Sequence, residues 1–256
     1  MAALITGASS GIGLDIARVV AANGQDVVLV ARSADKLERL QREVEAAGTR
    51  AYVVPADLSA AGAALAVVRR VSELGLDIDV LVNNAGVGQY GPFLDTSLDA
   101  ELDIIRLNAM ALTELTKRLL PSMVARRKGR ILNVASTAAF FPGPLMAVYY
   151  ATKAYALSLS EALAEELEGT GVTVTVLCPG PTETAFQARA GMEASKLVAG
   201  KKLRSSLDVA RSGYEGMMRG DRVVIPGLSN KLVALMPRIM TRRGAAKLVH
   251  RLQERV

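Results

Sequence analysis

Tryptophan is absent from this 256-residue chain, and aromatic residues make up only 4% of it. Half of the residues are nevertheless apolar, which is enough to bury a sizeable core built from aliphatic side chains. The single cysteine, Cys178, excludes an intramolecular disulfide and suggests a reducing compartment. With one cysteine and one histidine, His250, the chain lacks the ligands of an ordinary zinc site, and we expect no bound metal.

Long apolar runs and a secretory leader are also missing. No run reaches the roughly 20 apolar residues that a membrane span needs. The first 13 residues have neither the charged start nor the long apolar stretch of a signal peptide. We therefore expect a soluble, cytoplasmic protein.

Acidic residues are scarce only in the C-terminal tail. Residues 228–256 hold seven basic residues and one acid, whereas residues 1–227 hold 24 of each sign. A neutral body argues against a nucleic-acid-binding face. The tail could lie on an anionic membrane through its leucines and methionines, or it could pack on the body as a helix with its charges in water.

Seven short apolar runs alternate with helical patterns along the chain. Several are continuous and β-branched, which is typical of parallel strands buried on both faces. The alternation predicts an α/β fold: one doubly wound, Rossmann-like domain with a seven-stranded parallel sheet and helices on both faces. We assign residues 1–227 to this domain and residues 228–256 to a basic helical tail. The predicted strands are 2–6, 26–31, 50–54, 79–83, 130–135, 172–177 and 222–226.

A glycine-rich loop, TGASSGIG, follows the first strand at residues 6–13 and opens a helical pattern. Gly7, Gly11 and Gly13 permit a tight turn and let a phosphate approach the backbone. The helix N-terminus that follows offers free N–H groups to that phosphate. The spacing differs from the commoner G-x-G-x-x-G, so as a bare pattern it also fits a structural turn.

The same loop contains GASSG, which matches the G-x-S-x-G elbow of serine hydrolases. A serine nucleophile needs a base, and the only histidine is His250 in the basic tail. No earlier strand precedes the loop to supply an oxyanion hole. A serine hydrolase is therefore a remote alternative.

The end of the second strand bears on cofactor choice. A dinucleotide fold that binds NAD(H) carries an acid there for the ribose 2′-hydroxyl, whereas an arginine suits the 2′-phosphate of NADP(H). Ala31 stands at the acid's position and Arg32 follows it. The sequence therefore favours NADP(H) over NAD(H), with Ser9 and Ser10 as further donors.

Three tyrosines surround one lysine in the segment VYYATKAY, residues 148–155. On a helix, positions three and four residues apart are neighbours, so Tyr149 and Tyr150 can each approach Lys153. A nearby cation lowers the pKa of a tyrosine, whose ordinary value is about 10. Spacing alone does not choose between the two tyrosines.

These motifs, together with NNAG at 83–86, LNAMA around Asn108, Ser136, YYATK and PGPTET at 179–184, resemble the short-chain dehydrogenase/reductase family. The resemblance selects Tyr149 and Lys153 as its Y-x-x-x-K pair, with Ser136 thirteen residues earlier. It implies that Tyr149 exchanges a proton with a carbonyl or alcohol while Ser136 binds the same oxygen. Lys153 would stabilise the tyrosinate and hold the ribose, and Asn108 would anchor a proton-relay water.

The resemblance also implies the cofactor contacts. Asp57 would meet the adenine amine, and Thr184 the carboxamide of the nicotinamide. The full expected set is Gly7, Ser9, Ser10, Gly11, Ile12, Gly13, Arg32, Asp57, Leu58, Asn84, Ala85, Gly86, Tyr149, Lys153, Pro179, Gly180, Thr182 and Thr184.

The expected substrate is a hydrophobic carbonyl or alcohol, such as a ketoacyl, steroid-like or aromatic ketone compound. Residues 137–146 and 185–203 are apolar and contain methionine, which suits the wall and lid of such a pocket. The small residues of the helix after Lys153 resemble the family's dimer face and imply a homodimer or homotetramer. A non-catalytic NADP(H)-binding sensor on the same fold remains the alternative function.

Overall fold

The computed structural model describes residues 1–256 as a parallel sheet between two layers of helices. The strands are β1 (Ala2–Thr6), β2 (Asp26–Ala31), β3 (Ala51–Pro55), β4 (Ile78–Asn83), β5 (Gly129–Val134), β6 (Val172–Leu177), β7 (Thr182–Glu183), β8 (Arg204–Ser205) and β9 (Val223–Val224). The helices are α1 (Gly11–Ala22), α2 (Ala34–Ala46), α3 (Ala63–Glu73), α4 (Leu98–Ile105), α5 (Leu112–Ala125), α6 (Ala147–Glu166), α7 (Phe186–Ala190), α8 (Ser206–Arg219), α9 (Leu228–Leu235) and α10 (Arg242–Gln253).

The main sheet has seven strands in the order β3-β2-β1-β4-β5-β6-β9, all parallel. The predicted doubly wound α/β fold is confirmed. The strand positions agree within about a residue at most ends, and only the seventh strand is clearly shorter than predicted. β7 and β8 form a separate two-stranded parallel pair.

The continuous apolar runs become strands because both faces of the sheet are covered. β1 is buried at every position, so none of its residues needs to be polar for solvent. One face packs against α1, α2 and α8, and the other against α3 and α5, with α6 extending that layer. In α2, the predicted apolar stripe Leu37, Leu40 and Val44 is the buried face.

Strand order reverses beside β1. The chain moves outward from β1 to β2 and β3, then returns to the other side of β1 at β4. The loops after β1 and β4 therefore leave the sheet in opposite directions and open a crevice at the carboxyl ends of the strands. This crevice is where a doubly wound sheet places its ligand site.

A π-helical turn, Arg106–Ala111, joins α4 to α5 without a break. Such turns contain one residue more than an α-helical turn and occur often at functional sites. No helix in the structure is both long enough and apolar enough to cross a bilayer.

Candidate active site

The principal cavity lies at the carboxyl ends of the strands, at the point where the strand order reverses. It extends from the glycine loop and Arg32 past Ser136 to Tyr149, Tyr150 and Gln253. It is lined by 17 of the 18 residues expected to bind the cofactor, and Gly13 is the one expected contact outside its wall.

The glycine loop has the backbone of a phosphate cradle. Gly7 and Gly11 have φ values of +68° and +56°, in the left-handed region that favours glycine. A Cβ on Gly13 would come within 2.2 Å of Asn84 Nδ2 and 2.5 Å of Gly7 O. Asn84 Nδ2 in turn donates to Thr6 O at 2.9 Å. The loop is thus held close by Asn84, and the residues present fit a dinucleotide phosphate over the N-terminus of α1.

The crevice carries positive charge beside the end of β2. Arg32 is exposed on the cavity wall, and Lys36 of α2 lines the same wall. Neither forms a salt bridge. Asp57 Oδ1 accepts from Ser59 N at 3.0 Å and Ser59 Oγ at 2.7 Å, and the Ser59 hydroxyl and the Arg32 charge hold the Asp57 pKa below its ordinary value.

The lysine of the VYYATKAY segment is fixed by the sheet. Lys153 is buried on α6, one turn after Tyr149, and its Nζ donates to Val134 O at 2.8 Å. The same Nζ lies 5.7 Å from the centroid of the Tyr149 ring. Because β5 supplies the acceptor, the ammonium is positioned by the main chain.

The two candidate tyrosines face different partners. The Tyr149 hydroxyl lies beside the Ser136 side chain, which acts to lower its pKa. Tyr149 lines the same cavity as Lys153. The Tyr150 hydroxyl accepts from Gln253 Nε2 at 3.0 Å, and its ring lies so close to Gly143 that a Cβ there would be 2.0 Å from Tyr150 Cγ. The two hydroxyls thus differ in their surroundings, since Tyr150 is bound by a glutamine on α10, and the choice of Tyr149 as the catalytic tyrosine stays a prediction.

Burial governs the proton affinities of the site. It raises the pKa of the Tyr149 hydroxyl well above its usual range, with the Ser136 side chain acting in the opposite direction. It lowers the pKa of Lys153 to about 8. It also raises the pKa of Cys178 to about 12, so that thiol stays protonated and serves as packing. The protein's own groups therefore keep Tyr149 protonated.

Asn108 lies behind the cavity wall, within the π-helical turn. Its Oδ1 accepts from Val87 N at 3.0 Å, and its Nδ2 donates to Val87 O at 2.9 Å and to Thr152 Oγ1 at 3.1 Å. The side chain thereby joins the loop after β4 to α6 one residue away from Lys153. Both amide hydrogens of the side chain are bound within the protein, and the proton-relay water expected at Asn108 stays a prediction.

Ser136 begins a short 3₁₀ helix, Thr137–Phe140, after β5. Its Oγ accepts from Ala138 N at 3.1 Å and donates to Pro179 O at 3.4 Å. The second contact links Ser136 to the segment of Pro179, Gly180, Thr182 and Thr184, all of which line the cavity.

The tail contributes to the cavity a polar side chain, Gln253, that no sequence pattern had indicated. Gln253 is almost wholly buried at the end of α10 and reaches the cavity beside Tyr150. Its Oε1 accepts from Ser195 Oγ at 3.1 Å. Nearby, Lys196 N donates to Glu254 O and Val256 N to Ala194 O, each at 2.9 Å. The tail thus holds the predicted lid, residues 185–203, against the pocket.

No histidine lines this cavity, and His250 is exposed on α10. The GASSG serines therefore have no imidazole base within it, and the hydrolase reading of the glycine loop finds no support.

Comparisons with known proteins agree with this geometry. Residues 1–194 match the short chain dehydrogenase family. Ketoacyl reductase HetN of Nostoc is 39% identical over 200 residues, which span 78% of this chain and 68% of HetN.

Solved structures match over almost the whole chain. A short-chain dehydrogenase from Sphingobium yanoikuyae in complex with NADPH has 33% identity and a TM-score of 0.83, covering 95% of this chain and 94% of that one. A bulky-bulky ketone specific alcohol dehydrogenase from Comamonas testosteroni has 30% identity and a TM-score of 0.79, covering 93% of each chain. With its glycine cradle and its family match, this chain belongs to the short-chain dehydrogenase/reductase family and is an NAD(P)-dependent oxidoreductase.

Proposed function

We propose that this protein is an NADP(H)-preferring reductase that interconverts a hydrophobic carbonyl compound and its secondary alcohol. The observation that carries the proposal is one continuous cavity with Arg32 and Lys36 at one end and Ser136, Tyr149 and Lys153 at the other. When bound, the reduced nicotinamide supplies the hydride.

Tyr149 is the proton donor in this proposal. A raised pKa keeps its hydroxyl protonated at neutral pH, which is the form required to donate to a carbonyl oxygen as that oxygen gains charge. In the oxidative direction the same hydroxyl must first lose its proton. Lys153, whose Nζ lies 5.7 Å from the centroid of the Tyr149 ring, supplies positive charge that favours the tyrosinate.

Ser136 and Lys153 support the tyrosine. The Ser136 hydroxyl is fixed by Ala138 N and can turn its proton from Pro179 O to a substrate oxygen. Lys153 is mainly cationic at neutral pH, given its pKa of about 8, and would hold the ribose. Asn108 keeps the loop after β4 against α6.

The cofactor preference rests on charge at the end of β2. Arg32 and Lys36 present two unpaired cations where a 2′-phosphate would lie, and no acid stands at position 31 to repel it. The NADPH complex of the Sphingobium relative supports this preference.

The substrate class rests on the apolar side chains that line the cavity with the catalytic groups. Met146, Phe186, Met192, Leu197 and Val198 line it, and such a wall favours an apolar substrate body. The activities in the names of the Nostoc and Comamonas relatives, on ketoacyl compounds and bulky ketones, support the same class.

The test compares wild type with Tyr149→Phe and Tyr150→Phe, using the loss of NADPH absorbance with a panel of hydrophobic ketones, 3-ketoacyl thioesters and aldehydes. We expect Tyr149→Phe to lower kcat by about 10²- to 10⁴-fold, because a general acid contributes that much. NADPH binding, followed by nucleotide fluorescence, should be unchanged. Tyr150→Phe is the matched control. It removes the neighbouring hydroxyl but leaves that of Tyr149, so the variant should keep its turnover.

Equal loss in both variants would contradict the assignment to Tyr149. NADPH binding without turnover of any carbonyl would instead favour the non-catalytic sensor.

A further inference from the structure

The outer face of α9 and of the turn after it is apolar. Leu228, Leu232 and Leu235 are 75%, 60% and 51% exposed, and Ile239 is 88% exposed. The three leucines recur at helical spacing on one side of α9. Four large aliphatic side chains of this segment are thus exposed to water.

The inner face of α9 is small and polar. Ala234 is its only buried residue. Asn230 Nδ2 donates to Pro226 O at 2.7 Å, and Asn230 Oδ1 lies so close to Gly180 that a Cβ there would be 2.4 Å away. An ordinary surface helix buries its leucines and exposes its amides. In α9 this arrangement is reversed, so folding of the chain does not explain the leucines.

Cations surround this apolar face. Lys231, Arg238, Arg242 and Arg243 are all exposed, and none forms a salt bridge. The only carboxylate side chain of the tail, Glu254, pairs with Lys196 at 2.7 Å. The stretch from residue 228 to residue 243, called here the tail patch, therefore combines exposed leucines with uncompensated positive charge.

We propose that the tail patch docks on an anionic lipid surface, with the α9 leucines and Ile239 in the acyl boundary and the basic side chains at the headgroups. Apolar residues bordered by lysine and arginine are the pattern of helices that lie in a bilayer interface. A second copy of this chain suits the patch less well, because it would bring four cations against four cations.

Docking also has a consequence for substrate access. Gly180, against which Asn230 packs, lines the catalytic cavity, so a docked α9 places one cavity edge beside the bilayer. An apolar substrate dissolved in the membrane could then enter without crossing water. This consequence rests on the proposed function, whereas the docking itself does not.

The test is co-sedimentation of the full chain with phosphatidylcholine vesicles that contain or lack phosphatidylglycerol. We expect binding to the anionic vesicles only, weakened by salt. Leu232→Glu and Ile239→Glu should each abolish it. The matched control is Leu94→Glu, a 96% exposed leucine in the loop before α4, which should bind as wild type does.

A second arm tests the charges. Arg242→Gln combined with Arg243→Gln should lower the partition coefficient by about thirtyfold, because each cation near an anionic surface contributes about 1 kcal/mol. Arg69→Gln with Arg70→Gln on α3 removes the same charge elsewhere and should have little effect.

Failure to bind anionic vesicles would overturn the proposal. So would a loss of oligomer mass on Leu232→Glu by light scattering, which would assign the patch to a second copy. Neither outcome depends on catalysis, and NADPH turnover in the absence of vesicles tests the proposed function independently.

Discussion

At the scale of single residues, the pKa of Lys153 predicts the pH above which activity declines. Its pKa of about 8 means that it is a cation below that pH and neutral above it. Since the pH profile of kcat/KM reflects ionisations of the free enzyme, kcat/KM for NADPH should fall above about pH 8, by about tenfold per pH unit. The measurement is steady-state reduction across neutral and alkaline pH.

Lys153→Arg is the control for this profile. A guanidinium keeps its charge throughout the range, so the variant should be slower overall but lose the decline near pH 8. A decline that persists in Lys153→Arg would assign it to another group.

Arg32 should decide between the two nicotinamide cofactors. Arg32→Glu places a carboxylate where the 2′-phosphate would lie, and a lost charge-assisted hydrogen bond is worth about 1.5–3 kcal/mol. We therefore expect kcat/KM for NADPH to fall by about 10- to 100-fold, while kcat/KM for NADH is kept or rises. Initial rates with both cofactors measure this.

Arg39→Glu is the matched control, since Arg39 is exposed on α2 but does not line the cavity. It should leave the NADPH preference unchanged. An equal response in both variants would make the effect one of overall charge.

The proximity of two residues can be predicted from the sequence where a short pattern carries the information. Tyr149 and Lys153 are one helical turn apart, so their proximity follows from the sequence. Gln253 could not be found this way, because its partner Tyr150 is 103 positions away and only tertiary packing joins them. Lys36 lies in the first turn of α2, beyond the end of β2, so the cofactor pattern at the strand end does not include it.

At the scale of elements, α10 and the lid behave as one unit. Gln253→Leu removes the amide that joins Tyr150 and Ser195, and leaves two buried hydroxyls without that partner at a cost of about 1–3 kcal/mol. We expect a raised KM for the carbonyl substrate and faster amide exchange in residues 192–198, with unchanged NADPH affinity. Hydrogen exchange and steady-state kinetics measure the two effects.

Glu254→Gln supplies the comparison. It weakens an ion pair with Lys196 that is about half exposed on both sides, and such pairs are worth at most about 1 kcal/mol. In this variant the amide hydrogens of residues 192–198 should exchange at the wild-type rate. If Gln253→Leu leaves lid exchange unaltered, the lid is held by main-chain contacts alone.

At the scale of the whole molecule, the helices α4 to α6 present a second exposed apolar surface. Leu98, Ile105, Met110 and Tyr155 are exposed on these helices, and Tyr155 shares a hydrogen bond of 2.7 Å with Thr113. This surface fits the predicted homodimer or homotetramer. Light scattering should give a mass of two or four chains, and Met110→Arg should reduce it.

The comparison variant for this mass is Ile239→Arg, which alters the tail patch and should leave the oligomer intact. A monomeric wild type would contradict the predicted assembly.

The architecture was predictable because buried parallel strands leave continuous apolar runs, as in β1, β2 and β6. The tail was harder, since α10 and α9 both combine leucines with bases. α10 packs Ala245 and Val249 inward, as an ordinary surface helix does, whereas α9 turns its leucines outward. Composition alone does not distinguish these orientations.

The π-helical turn at Arg106–Ala111 contains one extra residue. The side chains of α5 are therefore rotated about the helix axis, relative to where an unbroken α-helix starting at α4 would place them. Asn108 faces Val87 and Thr152 from inside the turn, while Thr116, beyond it, reaches Asn83. Deleting one residue of the turn would make α4 to α5 one regular α-helix. This removes the free-energy cost of the π-helical turn, and it rotates Asn108 away from its partners. We expect such a deletion to raise the melting temperature and to lower activity, because Asn108 would no longer hold the loop after β4 against α6.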